Sequence, residues 1–187
     1  MSDYSFRATL SISGEGDVCF QYAKQVSEWK EVNNGQKGDT YRVGGSYETF
    51  NFVFGQYLCV NSCQGHKVAI FNFKSIGEGK YTITWDDDDY KKGYILDITN
   101  NNWLYAYHPS ESNGTHFAFH SERSAERLST AEILGRSGLK ISCGYGEVLL
   151  HDKVNIKTGS YNYSAAYLCT GSSNGGKVGH NFSVHPC

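Results

Sequence analysis

The chain is poor in the features that mark a membrane span, a nucleic-acid binder or a helical bundle. Its longest apolar runs are only a few residues, whereas a transmembrane helix needs about 20, so no transmembrane segment is expected. Neither sign of charge dominates, with 17 basic residues against 19 acidic ones, and the basic residues are scattered rather than striped. A nucleic-acid partner needs several phosphates neutralised from one surface, so that class is excluded. There is no dinucleotide fingerprint, no glycine-rich phosphate cradle and no pair of carboxylates at a recognisable catalytic spacing. The chain therefore reads as non-enzymatic.

What is abundant points to strands. Gly, Ser, Asn, Thr and Tyr dominate, with 14 tyrosines and only 2 prolines, a balance suited to short strands joined by polar turns. Period-two alternation recurs along the chain. Tyr81, Ile83 and Trp85 share one face of a strand, as do Tyr94, Leu96 and Ile98, and then Trp103, Tyr105 and Tyr107. One segment departs from it: Ser121 to Gly135 carries Leu128, Ala131, Ile133 and Leu134 at helical spacing and ends on a glycine. The spacing predicts a single helix over 122–134 in an otherwise all-β, antiparallel sandwich or barrel.

The chain also repeats itself. Tyr57-Leu58-Cys59, Ser62, Gly65, Lys67 and Val68 recur 110 positions later as Tyr167-Leu168-Cys169, Ser172, Gly175, Lys177 and Val178. Upstream, Gly45-Ser46-Tyr47 matches Gly159-Ser160-Tyr161, and Ser13-Gly14 with Cys19 matches Ser137-Gly138 with Cys143. This predicts an internal duplication, with one unit over 4–83, a second over 117–187, and an unmatched segment over 84–116.

The 6 cysteines form an even set, which reads as a disulfide framework in an oxidising compartment. The repeat equates Cys19 with Cys143 and Cys59 with Cys169. Equivalent pairing then predicts Cys19–Cys59 and Cys143–Cys169, and leaves Cys63 to pair with Cys187. The competing reading, a metal at Cys59, Cys63 and His66, lacks the second cluster that zinc sites usually bring. Sequons begin at Asn113, Asn162 and Asn181 and fit secretion. Met1-Ser2-Asp3-Tyr4 has neither the basic nor the apolar region of a signal peptide. A secreted protein is expected, with the signal absent from this chain.

Gly171-Ser172-Ser173-Asn174-Gly175 has the letters of a nucleophile elbow, but that motif needs a helix after it and the residues from Lys177 read as a strand. His116 and His120 would share a metal on a helix. On a strand they lie about 13 Å apart, from roughly 3.3 Å of rise per residue. The run Asp86, Asp87, Asp88 and Asp89 must be relieved by solvent, by Lys91 and Lys92, or by a cation, and Ca2+ is the ion such oxygens suit.

The unmatched segment carries the chemistry of sugar recognition. Aromatic rings offer flat apolar plates to the C–H face of a sugar, and Asp and Asn side chains bridge vicinal hydroxyls. Trp85, Asp86, Asp88, Tyr90, Asn101, Asn102, Trp103 and Tyr105 are the expected ligand-binding residues. The leading expectation is a lectin-like protein that binds glycans or glycoconjugates, with two related sites if the repeat duplicates them. The alternatives are a membrane-active, pore-forming defence toxin that meets a membrane surface with aromatic loops, and an extracellular inhibitor or structural module with a protein partner.

Overall fold

The computed structural model describes residues 4–33, 40–61, 67–87, 91–151, 154–158, 161–171, 176–177 and 181–187. Strands follow one another through β1 (Phe6–Ile12), β2 (Gly16–Asn33), β3 (Thr40–Asn61), β4 (Phe71–Gly77), β5 (Lys80–Trp85), β6 (Ile95–Ile98) and β7 (Leu104–Tyr107). They continue through β8 (Phe117–Ser121), the helix α1 (Thr130–Ile133), β9 (Leu139–Cys143) and β10 (Gly146–His151). The last are β11 (Val154–Thr158), β12 (Tyr161–Thr170), β13 (Gly176–Lys177) and β14 (Phe182–Pro186). The protein is all-β, and the strand pairings are antiparallel, as the alternation predicts.

Alternation decides which side of each strand is dry. In β1, Phe6, Ala8, Leu10 and Ile12 are buried while Arg7, Thr9 and Ser11 are not. In β5 the buried set is Tyr81, Ile83 and Trp85. Among the described residues, the inward side chains form a main hydrophobic cluster with members from Phe6 to Val184. Phe6 stacks on Phe73 at 4.6 Å, and Phe73 and Tyr81 both pack against Phe119.

The pairings close on themselves. Starting from β12 the path runs β3, β7, β6, β5, β4, β1, β14, β9, β10 and back to β12, with β8 bridging β5 and β9. The three stretches 4–83, 84–116 and 117–187 interleave in this circuit: β1 lies between β4 and β14, and β12 pairs with β3. The two copies of Tyr-Leu-Cys are therefore neighbours, with Tyr167 opposite Cys59 and Ala166 opposite Val60.

One local expectation needs correction. The helix is one turn, Thr130–Ile133, instead of 122–134. The residues before it are held in an extended path by a bridge between His120 and Arg127 and by Leu128 N–H donating to Phe119 O. Ser129 starts the turn, its N–H and hydroxyl both donating to the Glu132 carboxylate at 2.8 and 2.6 Å. Gly135 follows with a φ of 70°, as a helix stop requires.

The strand ladders also place the cysteines of the expected pairing scheme. Cys19 and Cys59 lie directly opposite each other on β2 and β3, with their sulfurs 3.8 Å apart. Cys143 sits opposite Gly146, and Cys169 opposite Leu149, so the ladders do not bring the second expected pair together. Cys143 is half-buried, Cys169 buried and Cys187 exposed; Cys63 lies outside the described residues. The pairing scheme assumed equivalent neighbours, yet β2 runs straight on alongside β3 whereas β9 turns back at once into β10.

The turn that leads from β7 into β8 is pinned by Asp97, which accepts hydrogen bonds from Ser112 Oγ, Thr115 Oγ1 and the Ile98 N–H. Gly114, between those hydroxyls, has a φ of 80°, and a Cβ there would lie 2.3 Å from Ile95 Cδ1 and 2.6 Å from Cγ1. Gly114→Ala is expected to lower stability by about 2–4 kcal/mol, from left-handed strain plus overpacking. Urea unfolding checks this; a midpoint equal to wild type would show that the turn is not so constrained.

Candidate functional site

Strand β7 determines where the aromatic residues of the middle segment go. Leu104 and Ala106 are buried, at 3% and 0% exposure, so the alternate residues Trp103, Tyr105 and Tyr107 face outward. The adjoining turn fixes the entry to β7: Trp103 N–H donates to Thr99 Oγ1 and Thr99 N–H to Trp103 O. Asn102 adopts a φ of 65°, and its carbonyl accepts from Thr170 N–H in β12. Asn101 is exposed at the tip.

Neighbouring strands extend the row. Tyr105 contacts Tyr107 at 4.7 Å between ring centres, and Tyr57 of β3 at 4.8 Å. Tyr57 contacts Tyr167 of β12 at 5.8 Å. Tyr167 meets Trp103 at 6.0 Å, and Trp103 meets His151 of β10 at 5.0 Å. Six rings from four strands thus form one continuous strip on the outer face. Tyr57 is 43% exposed, and the other five are half-buried. Most contacts are edge-to-face, an arrangement favoured by the ring quadrupole.

Two of the phenols are held in the protonated form. Tyr105 is pushed above the usual tyrosine range by desolvation, then by Tyr57, Tyr107 and Glu111. Tyr107 is raised by desolvation, then by Asp97, Tyr57 and Glu111. Both hydroxyls stay protonated at neutral pH and can each donate and accept. Beneath Tyr167 lie Cys19 and Cys59, a small buried cluster separate from the main core.

The residues expected to bind ligand or metal fall into four groups. Asn101, Asn102, Trp103 and Tyr105 come together at or beside the strip. Trp85 does not reach it: the indole is 1% exposed and stacks on Phe20 at 3.9 Å, inside the core. Asp86 is paired with Arg7 at 2.6 Å and Lys92 at 3.2 Å, and buried Asp87 with Lys67 at 2.6 Å. Asp88, Asp89 and Tyr90 lie outside the described residues.

The two described carboxylates of the acidic run are thus relieved by protein cations and supply no free Ca2+ ligand set. Among the described residues, no group of three or more His, Cys, Asp or Glu is placed to hold a metal. The described residues that next follow Gly171 are strand β13 (Gly176–Lys177), as the reading of Lys177 as strand expects; Ser172 and Ser173 lie outside the described residues.

Tyr57, Tyr107, Tyr167 and His151 were not among the expected site residues. Two of them carried a signal nonetheless, since Tyr57 and Tyr167 open the repeated Tyr-Leu-Cys runs. Tyr107 shares the alternation of Trp103 and Tyr105. His151 had none, because only the pairing of β10 with β12 brings it near Trp103. No protein-family model, curated protein or solved structure matches this chain.

Proposed function

We propose that the protein is a secreted, lectin-like carbohydrate-binding protein whose contact surface is the strip from Tyr107 to His151. The supporting observation is the strip itself: six rings in mutual contact on the outer face of a closed sheet. Contiguous exposed apolar surface of this kind is uncommon on a monomer without a partner. Rings held by rigid strands lose little entropy on binding, and the phenols with Asn101 supply hydroxyl partners around apolar plates.

Glycan-array binding, run with calcium and with chelator, tests the reading. Tyr57→Ala and Trp103→Ala are each expected to weaken glycan binding by at least about tenfold, the loss of roughly 1.4 kcal/mol of contact. Stability should change by no more than about 1 kcal/mol, the usual range for surface positions. Absence of binding to any glycan under both conditions would overturn it.

One observation favours a membrane-active reading as the second choice. Strands β2 and β3 pair from Asp17↔Asn61 to Asn33↔Thr40, longer than the 9–11 residues a strand needs to cross a bilayer. Dye release from liposomes, without glycan binding, would select it.

A further inference from the structure

A second site lies on strands β8 to β10. The register sets Ala118 opposite Ser142 and Lys140 opposite His120, with Glu147 on the other side of Ser142. Leu139 and Ile141 point into the core, at 0% and 3% exposure, so alternation turns Lys140 and Ser142 outward. Phe117 and Phe119 are buried in the same way, and His120 faces out beside Ser142. A cleft of ≈350 Å³ opens over these groups, walled by the loop that begins at Ser121.

The hydrogen bonds select the tautomer of the histidine. Its Nδ1 faces the carbonyl oxygens of Ala125 at 2.9 Å and Glu126 at 3.2 Å. Carbonyls only accept, so Nδ1 carries a proton, and in the tautomer this selects Nε2 is the acceptor. Ser142 Oγ lies 2.6 Å from Nε2 and donates to it. A hydroxyl aimed at a base that is itself oriented by a third group is the arrangement of an activated nucleophile.

The geometry points to Ser142 as a nucleophilic serine with His120 as its general base, acting on short-chain acyl esters of polar alcohols. The cleft volume suits an acyl group of a few carbons. Its lining residues other than Ala125 carry polar groups, with Ser121, Glu122, Arg123, Lys140 and Glu147 around the dyad, which suits a hydroxyl-bearing leaving group. Lys140, 3.6 Å from Glu147, brings positive charge to the face on which a carbonyl oxygen would become an oxyanion.

The reaction balances with water alone. Ser142 Oγ bonds to the ester carbon while its proton moves to His120 Nε2, and that proton passes to the departing alkoxide as the ester C–O bond breaks. Water, deprotonated by the same nitrogen, then cleaves the acyl-serine, releasing a carboxylic acid and restoring the hydroxyl. This activity is independent of glycan binding at the aromatic strip, on β3, β7, β10 and β12.

A fluorophosphonate probe with peptide mapping, and hydrolysis of p-nitrophenyl acetate, test the proposal on the full chain. Native protein should carry one adduct, on Ser142, and denatured protein none. Ser142→Ala should abolish the adduct and the enzymatic hydrolysis. His120→Ala should slow labelling by about 100-fold or more, the usual contribution of a general base. His120 also ties down the loop after it, so if that variant does not fold, the wild-type adduct map decides alone. An unlabelled Ser142 in native protein, or a folded His120→Ala variant labelled at the wild-type rate, would overturn the assignment.

Discussion

Trp85→Ala is expected to lower the unfolding free energy by about 3–5 kcal/mol, the usual loss when a buried aromatic is truncated. Domains of this size have only about 5–15 kcal/mol to lose, so the variant should be largely unfolded at mild urea. The indole is 1% exposed and lies 3.9 Å from the Phe20 ring at an interplanar angle of 21°. Its backbone is equally committed, with Trp85 N–H donating to Tyr94 O and Gly93 N–H to Trp85 O. Trp103 is the contrasting case, since its ring lies outward between Tyr167 and His151. Its removal should register in glycan binding and barely in stability. Urea midpoints measured on both variants check the distinction; a wild-type midpoint for Trp85→Ala would place that ring outside the core after all.

The two tryptophans also show what could be read from the sequence and what could not. Alternation put Tyr81, Ile83 and Trp85 on one face, and Trp103, Tyr105 and Tyr107 on another. It was silent on which face was dry, because aromatic residues stand against Thr in one strand and against Leu104 and Ala106 in the other. Packing decides that, and it buries Trp85 with the core while turning Trp103 outward. The helix was overextended for a related reason. The apolar spacing from Leu128 to Leu134 is real, but Leu128 hydrogen-bonds to Phe119 across an extended strand pair, and only Thr130–Ile133 closes a turn. Contacts between distant residues were the least legible. Ser142 and His120 meet only because β8 and β9 pair in one register, and no local pattern encodes a register across the connection from Glu122 to Gly138.

Oxidation of the reduced protein is expected to close a Cys19–Cys59 bridge and to raise stability by about 4 kcal/mol, the chain-entropy value for a loop of this length. The residues are 40 apart in sequence and directly opposite on β2 and β3. Directly opposite antiparallel residues have Cα atoms roughly 4.5–5.5 Å apart, within the range a disulfide spans. Closing the sulfurs from 3.8 Å therefore asks for side-chain rotation and little backbone movement.

The native thiol is slow to react, however. The hydrogen bond with Cys19, then burial, hold the Cys59 thiol well above its usual range, and exchange requires the thiolate. Oxidised glutathione should therefore form the bridge faster during refolding than in the folded protein. The sign of the pH dependence follows. The folded state holds this proton more tightly than the unfolded chain, so its contribution is complete below about pH 8.5, the free thiol value, and is lost as pH rises through the folded pKa. A disulfide has no proton to lose, so the stability gap between oxidised and reduced protein should widen in alkali. Non-reducing peptide mapping with urea unfolding at pH 7 and pH 9.5 tests this. A Cys59–Cys63 bridge, or thiols at Cys19 and Cys59 that remain free after oxidative refolding, would refute it.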